Sequence, residues 1–592
     1  MNTPQSISPR WSLRALAALG LALAALAAAT GSADAYVTPA QAEHAADRGA
    51  NWFQANQEES GSIGSDWGMT ALAAAGVNAA DVSTSLADPS AQDFYLDEWQ
   101  TMGAGGAGTD AERGILAGVA GGIQPSRLSA STADTTTSNL VARIAELFDG
   151  TQIGETGLLN DDIFGVLALH QAGAPQPILR EIVDFLRPQQ HTDGGWTWNT
   201  SLSAPSDTDM TGSVVAAFCA AGVAPGDPDL QQAFASLHSL QDPATGGFIN
   251  PPESFGIGLN TDTTAWVTSG LIQCGIDPQG PEWTTAQGKT PLDYLVSMQR
   301  PDGHFDWTEE FGGGAFETYS SVRPLGGVAF SAAAPARFDA TNPAVRPVAP
   351  VAEGTTVPIT LVIDHGPGSG DVRMCRVDVV TGADLVQVLA EAQASSNPAG
   401  CVAGFDASTD AAGVQVESLN GVTQTSDYGW RASLDGGAVQ SEAEETAGLG
   451  DLVFLQFAAK VANPDPAPKV DVPALKKTKK QRVRGARVSV RGKAHLQGDG
   501  VAVRLRCPRG NGAGGCRGTL TVQYRQGDGL RMLGSAGFAV ESGTARSVAV
   551  SGGDALTTAL AARARLRLRF TAATRSEDGS VRLTHARRIV SG

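Results

Sequence analysis

Between residues 50 and 330 the hydrophobic positions fall into two alternating kinds of segment. The first kind is apolar around much of a helical circumference, as in Val214-Val215-Ala216-Ala217-Phe218 and Trp266-Val267. Such segments open on polar groups at Ser65-Asp66, Asn160-Asp161-Asp162, Ser206-Asp207-Thr208-Asp209 and Asn260-Thr261-Asp262. They stop at Ala75-Gly76, Ala172-Gly173, Ala221-Gly222 and Cys274-Gly275. Thr109-Asp110 opens a related segment. An acid or hydroxyl that caps the free N–H groups, followed by a terminating glycine, predicts helices at these places. A helix apolar on all sides has to be buried.

The second kind is more polar and ends in glutamine. Phe185-Leu186-Arg187-Pro188-Gln189-Gln190 leads to Asp193-Gly194-Gly195-Trp196. Leu237 to Gln241 leads to Gly246-Gly247-Phe248, and Leu295 to Gln299 leads to Asp302-Gly303-His304-Phe305. The spacing, about 50–57 residues, accommodates two helices and their connections. One internal and one external helix per repeat predicts an inner ring surrounded by an outer one.

After residue 350 the period changes. Val357–Ile363 alternates as a strand, Asp384–Ala392 reads as one amphipathic helix, and Leu419-Asn420-Gly421-Val422 carries the Asn-Gly turn of a hairpin. Tyr428–Leu434 and Asp451–Phe457 add strands, which predicts a small α+β domain over 351–460. A linker rich in Pro and then Lys/Arg spans 461–483. Short alternating stretches such as Val501–Arg506 and Arg563–Phe570 predict an all-β, immunoglobulin-like sandwich over 484–592. The expected fold class is therefore multidomain, an α/α toroid over 36–342 followed by these two domains.

Composition adds compartment and charge. Arg10 and Arg14 precede an apolar run, Ala15–Ala29, and Ala33-Asp34-Ala35 has the small-x-small form of a cleavage site. Residues 1–35 read as a signal peptide, which predicts a secreted protein without a transmembrane segment in its mature part. Six cysteines fall two by two into three regions. In an exported chain they favour the pairs Cys219–Cys274, Cys375–Cys401 and Cys507–Cys516, with buried thiols as the alternative for the first. Net charge is −19, but from Asp465 onward about 25 basic residues face about 8 acidic ones. Such a tail fits contact with an anionic wall polymer or DNA, or a solvated basic face.

The Gln-x-x-Asp-Gly-Gly-Trp and Asp-Thr-helix patterns resemble the repeats of prenyltransferases and squalene cyclases, which implies an α/α toroid over roughly 38–340. The strand, the Gly-Ala-Asp-Leu helix start at Gly382–Leu385, the Leu-Asn-Gly-Val turn and the Trp430 strand resemble the C-terminal domain of transcobalamin and intrinsic factor. That family also places this domain after a toroid. The resemblance implies a small-molecule ligand, cobalamin or a related corrinoid, held between the ring's mouth and the second domain. Asp162, Asp209, Asp262, Trp266, Tyr319, Tyr428 and Trp430 are the candidate ligand contacts.

Two enzymatic readings compete with binding. Acid-initiated terpene cyclisation uses Asp-x-Asp-Asp; Asp207-Thr208-Asp209-Met210 lacks the last acid, leaving Asp207 and Asp209 as the candidate catalytic pair. Protein prenyltransfer needs a zinc site, and no Asp-x-Cys stands in the ring. Helix capping accounts for the recurring aspartates without catalysis. Of His170, His191, His238 and His304, none is assigned a metal. Secreted ligand binding is the leading expectation; a cyclase and a non-catalytic surface module are the alternatives.

Overall fold

The computed structural model describes residues 36–591 apart from 103–107, 129–138, 252–257, 338–353, 396–400, 436–446, 448–450, 473–487, 509–515, 552–555, 557–559, 561–564, 576–580 and a few gaps of one or two residues. The expected signal peptide and most of the expected linker lie outside the described residues.

The helices alternate in burial. The more deeply buried set comprises α2 (Gly68–Ala74), α4 (Gly108–Ala120), α6 (Asn160–Gln171), α8 (Thr208–Ala220), α10 (Thr261–Gln273) and α12 (Ala315–Leu325). Between them in sequence lie α1 (Pro39–Ala55), α3 (Ala91–Met102), α5 (Leu140–Leu147), α7 (Gln176–Leu186), α9 (Pro228–Ser239) and α11 (Pro291–Ser297). The sequence reason is visible in α7 and α8. Helix α7 buries one stripe, Ile178, Leu179, Ile182, Val183 and Leu186, and leaves the rest polar. Helix α8 buries Thr211 to Phe218 without interruption, so it needs neighbours on every side. Each buried helix packs on the next in order, and α12 returns to α2, so the six contact one another in a closed cycle.

The repeated motif forms the hinge between the two sets. The Nε2 of Gln190 donates to Gly194 O at 2.9 Å and Asp229 O at 2.8 Å. Gln241 makes the same pair with Gly246 O and Trp283 O, and Gln299 with Gly303 O and Ala45 O. One amide thus fastens its own turn to the outer layer of the next repeat. The aromatic after each turn, Trp196, Phe248 or Phe305, is fully buried. Its backbone N–H donates to a threonine hydroxyl on the following buried helix, Thr211, Thr264 or Thr318.

Helices α8 and α10 approach most closely through glycine. A Cβ on Gly270 would lie 2.3 Å from Gly212 O. Cys219 and Cys274, at the C-terminal ends of the same two helices, form a disulfide. The other two cysteine pairs also form, Cys375–Cys401 and Cys507–Cys516.

In the second region a sheet of order β4-β3-β9-β8 carries helix α13 (Leu385–Ala394) on one face. Its strands are β3 (Thr356–Asp364), β4 (Val372–Val380), β8 (Tyr428–Leu434) and β9 (Leu452–Ala459), with β3 and β9 parallel. Asp384 caps α13 in a reciprocal box with Gln387. At the Asn-Gly turn both Asn420 (φ 53°) and Gly421 (φ 87°) are left-handed, as that hairpin requires. The β3–β4 side of the sheet lies against α5 and α7, where Val362, Val372, Met374 and Leu452 join the helical core. Arg127 bonds Asp451 at 2.6 Å across this junction, and Asn139 donates to Pro358 O.

The third region holds two antiparallel sheets around a shared apolar core, one in the order β10 (Ser489–Gln497), β11 (Gly500–Arg506), β14 (Ala545–Ser551), the other in the order β13 (Gly529–Val540), β12 (Cys516–Gln526), β15 (Arg565–Arg575), β16 (Val581–Ser591). Cys507–Cys516 links the end of β11 (Gly500–Arg506) to the start of β12 (Cys516–Gln526), one strand in each sheet.

Gly270→Ala would force backbone apart, not a flexible side chain. The expected outcome is a large drop in Tm, with cost of roughly 1–3 kcal/mol, typical of overpacking. Gly275→Ala, where an added Cβ has open space but φ is 69°, should cost less; thermal unfolding of both variants compares them.

Candidate functional site

The N-terminal turns of the buried helices bring acids together. Asp207 is the N-cap of α8 and accepts from Met210 N at 3.0 Å, and Asn260 caps α10, accepting from Thr263 N at 2.9 Å. Capping was expected of all the helix-start aspartates, and for Asp209 and Asp262 it does not hold. They sit two residues inside helices already capped by Asp207 and Asn260, and neither caps its helix. Asp162 does not cap α6 either: its Oδ1 accepts from Ile153 N in the preceding loop at 2.7 Å.

What these acids share is burial with incomplete pairing. Asp162 Oδ2, Asp209 Oδ1, Asp262 Oδ1 and both carboxyl oxygens of Glu112 have no hydrogen-bond partner among the described residues. Burial, with the Asp207 charge beside it, raises the Asp209 carboxyl to about 7. Burial raises Asp162 to about 8. Asp262 stands well above the ordinary range through burial and the charges of Glu317 and Asp209, and Glu112 through burial and the charges of Asp161 and Asp162. Helix N-termini favour negative charge, yet here desolvation wins and the neutral acid is preferred.

Aromatic side chains from separate elements also meet, with Asp262 beside Tyr319 and Arg323. Trp67 stacks on Tyr319 with centroids 6.0 Å apart, Phe164 meets Trp266 at 5.6 Å, and Phe330 meets Trp266 at 5.8 Å. Trp67 and Trp266 are only half buried, and the indole N–H of Trp266 has no partner among the described residues. Arg323, 1% exposed, lies over the rings of Trp67, Tyr319 and Phe330 at 5.1–5.6 Å. None of its three guanidinium nitrogens has a hydrogen-bond partner among the described residues, and burial lowers it to about 10. Asp262 and Tyr319 are the charges that counter this.

Of the candidate contacts, Asp209 lies beside Asp262, and Asp262 and Tyr319 beside Arg323; Trp266 meets Phe164 and Phe330; Asp162 lies with Asp161 and Glu112. Tyr428 and Trp430 do not join them. Both fill the core of the second region, where Trp430 Nε1 donates to Val422 O at 3.1 Å and Tyr428 stacks on Phe457. Their alternate neighbours on β8 leave them facing inward, so their polar atoms and ring faces serve the local fold. Four contributors escaped the sequence reading: Glu112, Phe164, Arg323 and Phe330.

No group of His, Cys, Asp and Glu among the described residues is arranged to hold a metal ion. His304 pairs with Asp302 at 2.6 Å through Nδ1, and His238 stacks on Trp283. No described helix is long and apolar enough to cross a membrane, and the three disulfides are compatible with an oxidising, extracellular compartment.

No family model and no curated protein matches the chain. Among solved structures, haptocorrin in complex with Cbi is 11% identical, over 72% of this chain and 100% of that one, with a TM-score of 0.28. The type II terpene cyclase MstE from Scytonema, without ligand, is 16% identical over 49% of this chain and 98% of that one, with a TM-score of 0.32. These are distant fold likenesses and settle no activity.

The raised carboxyls have a measurable consequence. Asp209 and Asp162 hold protons in the folded chain that the unfolded chain, with carboxyls near 3.8, has released. Stability contributed by these groups is therefore greatest at low pH and falls as pH rises from about 4 to about 8. Asp209→Asn keeps the neutral form at every pH. Its Tm should decline less than that of the unmodified protein between about pH 5 and pH 8, and equal declines would count against a protonated Asp209.

Proposed function

We propose that the helical ring is an α/α toroid whose interior binds a small, largely apolar organic molecule in an exported protein. The observation that carries this reading is the convergence of half-buried aromatics with unpartnered buried polar atoms. Buried polar groups in folded proteins are normally satisfied, and a ligand bearing a hydroxyl, carbonyl or carboxyl would satisfy those of Asp209, Asp262, Trp266 or Arg323. The aromatic rings supply the apolar walls typical of such sites.

The corrinoid reading draws on the order of the regions. It loses Tyr428 and Trp430 as contacts, because both are engaged in their own core. The second region packs through its sheet on α5 and α7. The proposed interior site needs neither residue.

A second reading, acid-initiated cyclisation, is favoured by one observation. Asp209 is a neutral-leaning acid beside Asp207, in a ring of helices that also carries π faces able to stabilise cations. In that reaction Asp209 would give its proton to an alkene carbon, and the Asp207 charge beside it would keep that proton in place until then.

The experiment uses residues 36–592, geranylgeraniol and cobalamin, with tryptophan emission and calorimetry as readouts. Geranylgeraniol is expected to quench emission, and Trp266→Ala to weaken it roughly tenfold, equivalent to about 1.4 kcal/mol. No heat or quench with geranylgeraniol would overturn the interior-site reading, and heat with cobalamin alone would restore the corrinoid. Cyclised product lost in Asp209→Asn, with binding kept, would establish the enzyme.

A further inference from the structure

The third region carries a basic cleft separate from the ring. It opens at the seam where two sheet edges meet, β10 (Ser489–Gln497) and β16 (Val581–Ser591). Arg588 of β16 crosses the seam and donates to Gly492 O at 2.7 Å and Val490 O at 3.0 Å of β10. The cleft has a volume of about 770 Å³. Lys493 and His495 line one wall, and Arg565, Arg587 and Arg588 the other, with the exposed apolar Leu496 and Ile589 between them.

Three features separate this cleft from an ordinary solvated face. Among the described residues of 488–591 the single acid is Glu541, which does not line it. The register sets Arg569 of β15 (Arg565–Arg575) directly opposite Arg587 of β16, and like charges facing across a sheet destabilise it. Lysine and arginine on sheet edges commonly prevent aggregation. That explanation reaches β10, β16 and Arg565, which pairs with β16 alone, but not Arg569, because β15 is paired on both sides from Leu568 onward.

We infer that this cleft binds a phosphodiester polymer that carries no bases, of the poly(glycerol phosphate) kind. Guanidinium forks match phosphate oxygens in geometry and charge. Among the described residues no Trp, Tyr or Phe lines the cleft, so none of them supplies the stacking that serves single-stranded nucleic acid. Leu496 and Ile589 offer apolar contact to the carbon links between phosphates. The chain before Asp465 is strongly acidic, carrying a net charge of about −36, and repels a polyanion from the remaining surface, which directs it to this region. The inference is independent of what the ring binds.

The test uses residues 36–592 and purified poly(glycerol phosphate), with binding followed by anisotropy at low and moderate salt. Binding should weaken as salt rises, as counterion release demands. The double variant Arg565→Glu, Arg587→Glu should lose at least about tenfold in affinity with its Tm unchanged. Lys493→Gln with His495→Gln, on the opposite strand, should lose a smaller factor and guards against misfolding of the first variant. Unaltered affinity in both variants, or no binding at low salt, would overturn the assignment. Tighter binding to single- or double-stranded DNA would overturn the choice of polymer.

Discussion

Closure of the ring is the constraint on which the rest of the structure depends. Gln299 of the last repeat donates to Ala45 in the first helix, some 250 residues away in sequence. Arg48 donates to Arg300 O, and Val37 N donates to Asp293. A string of helix pairs leaves one apolar flank open at each end; joining the ends removes both. The interior then becomes a place where six helix starts must coexist, and the character of the candidate site follows.

Parallel helix starts would normally welcome acids, since each presents unpaired N–H groups and a partial positive charge. Here the caps are taken by Asp207 and Asn260, which leaves Asp209 and Asp262 desolvated inside the ring of helices. Their neutral forms win because water is excluded and the neighbouring charges are acids. Arg323 is the exception in sign, held by π faces in place of a salt bridge. Breaking or leaving a buried charge unpaired is costly, so the cluster is a poor device for stability. That cost is the physical reason to read it as a site.

The acid cluster and the basic cleft also divide the chain's electrostatics. In the helical part burial pushes the enclosed acids towards their neutral forms, whereas the arginines Arg565 and Arg587 of the cleft are exposed to water. The sheet between them contributes neither. Its apolar β3–β4 side is spent on α5 and α7, and its Trp430 and Tyr428 on its own core.

The sequence by itself determined the helix pairs and their order and the Asn-Gly hairpin, and it grouped the cysteines two by two without fixing their bonds. Each is written in short-range signals: a cap, a glycine stop, a glutamine before a turn, a period of 2 or 3.6. It also supplied most of the interior group, because Asp162, Asp209 and Asp262 recur at equivalent helix starts. Only the tertiary structure decided what those acids do. Whether an aspartate caps a helix or stands bare among rings depends on two residues' difference in position and on neighbours from other repeats. The same holds for Arg323 and Phe330, whose partners are Trp67 and Trp266 on distant helices, and for Trp430, whose role turned on which face of one strand meets its own core.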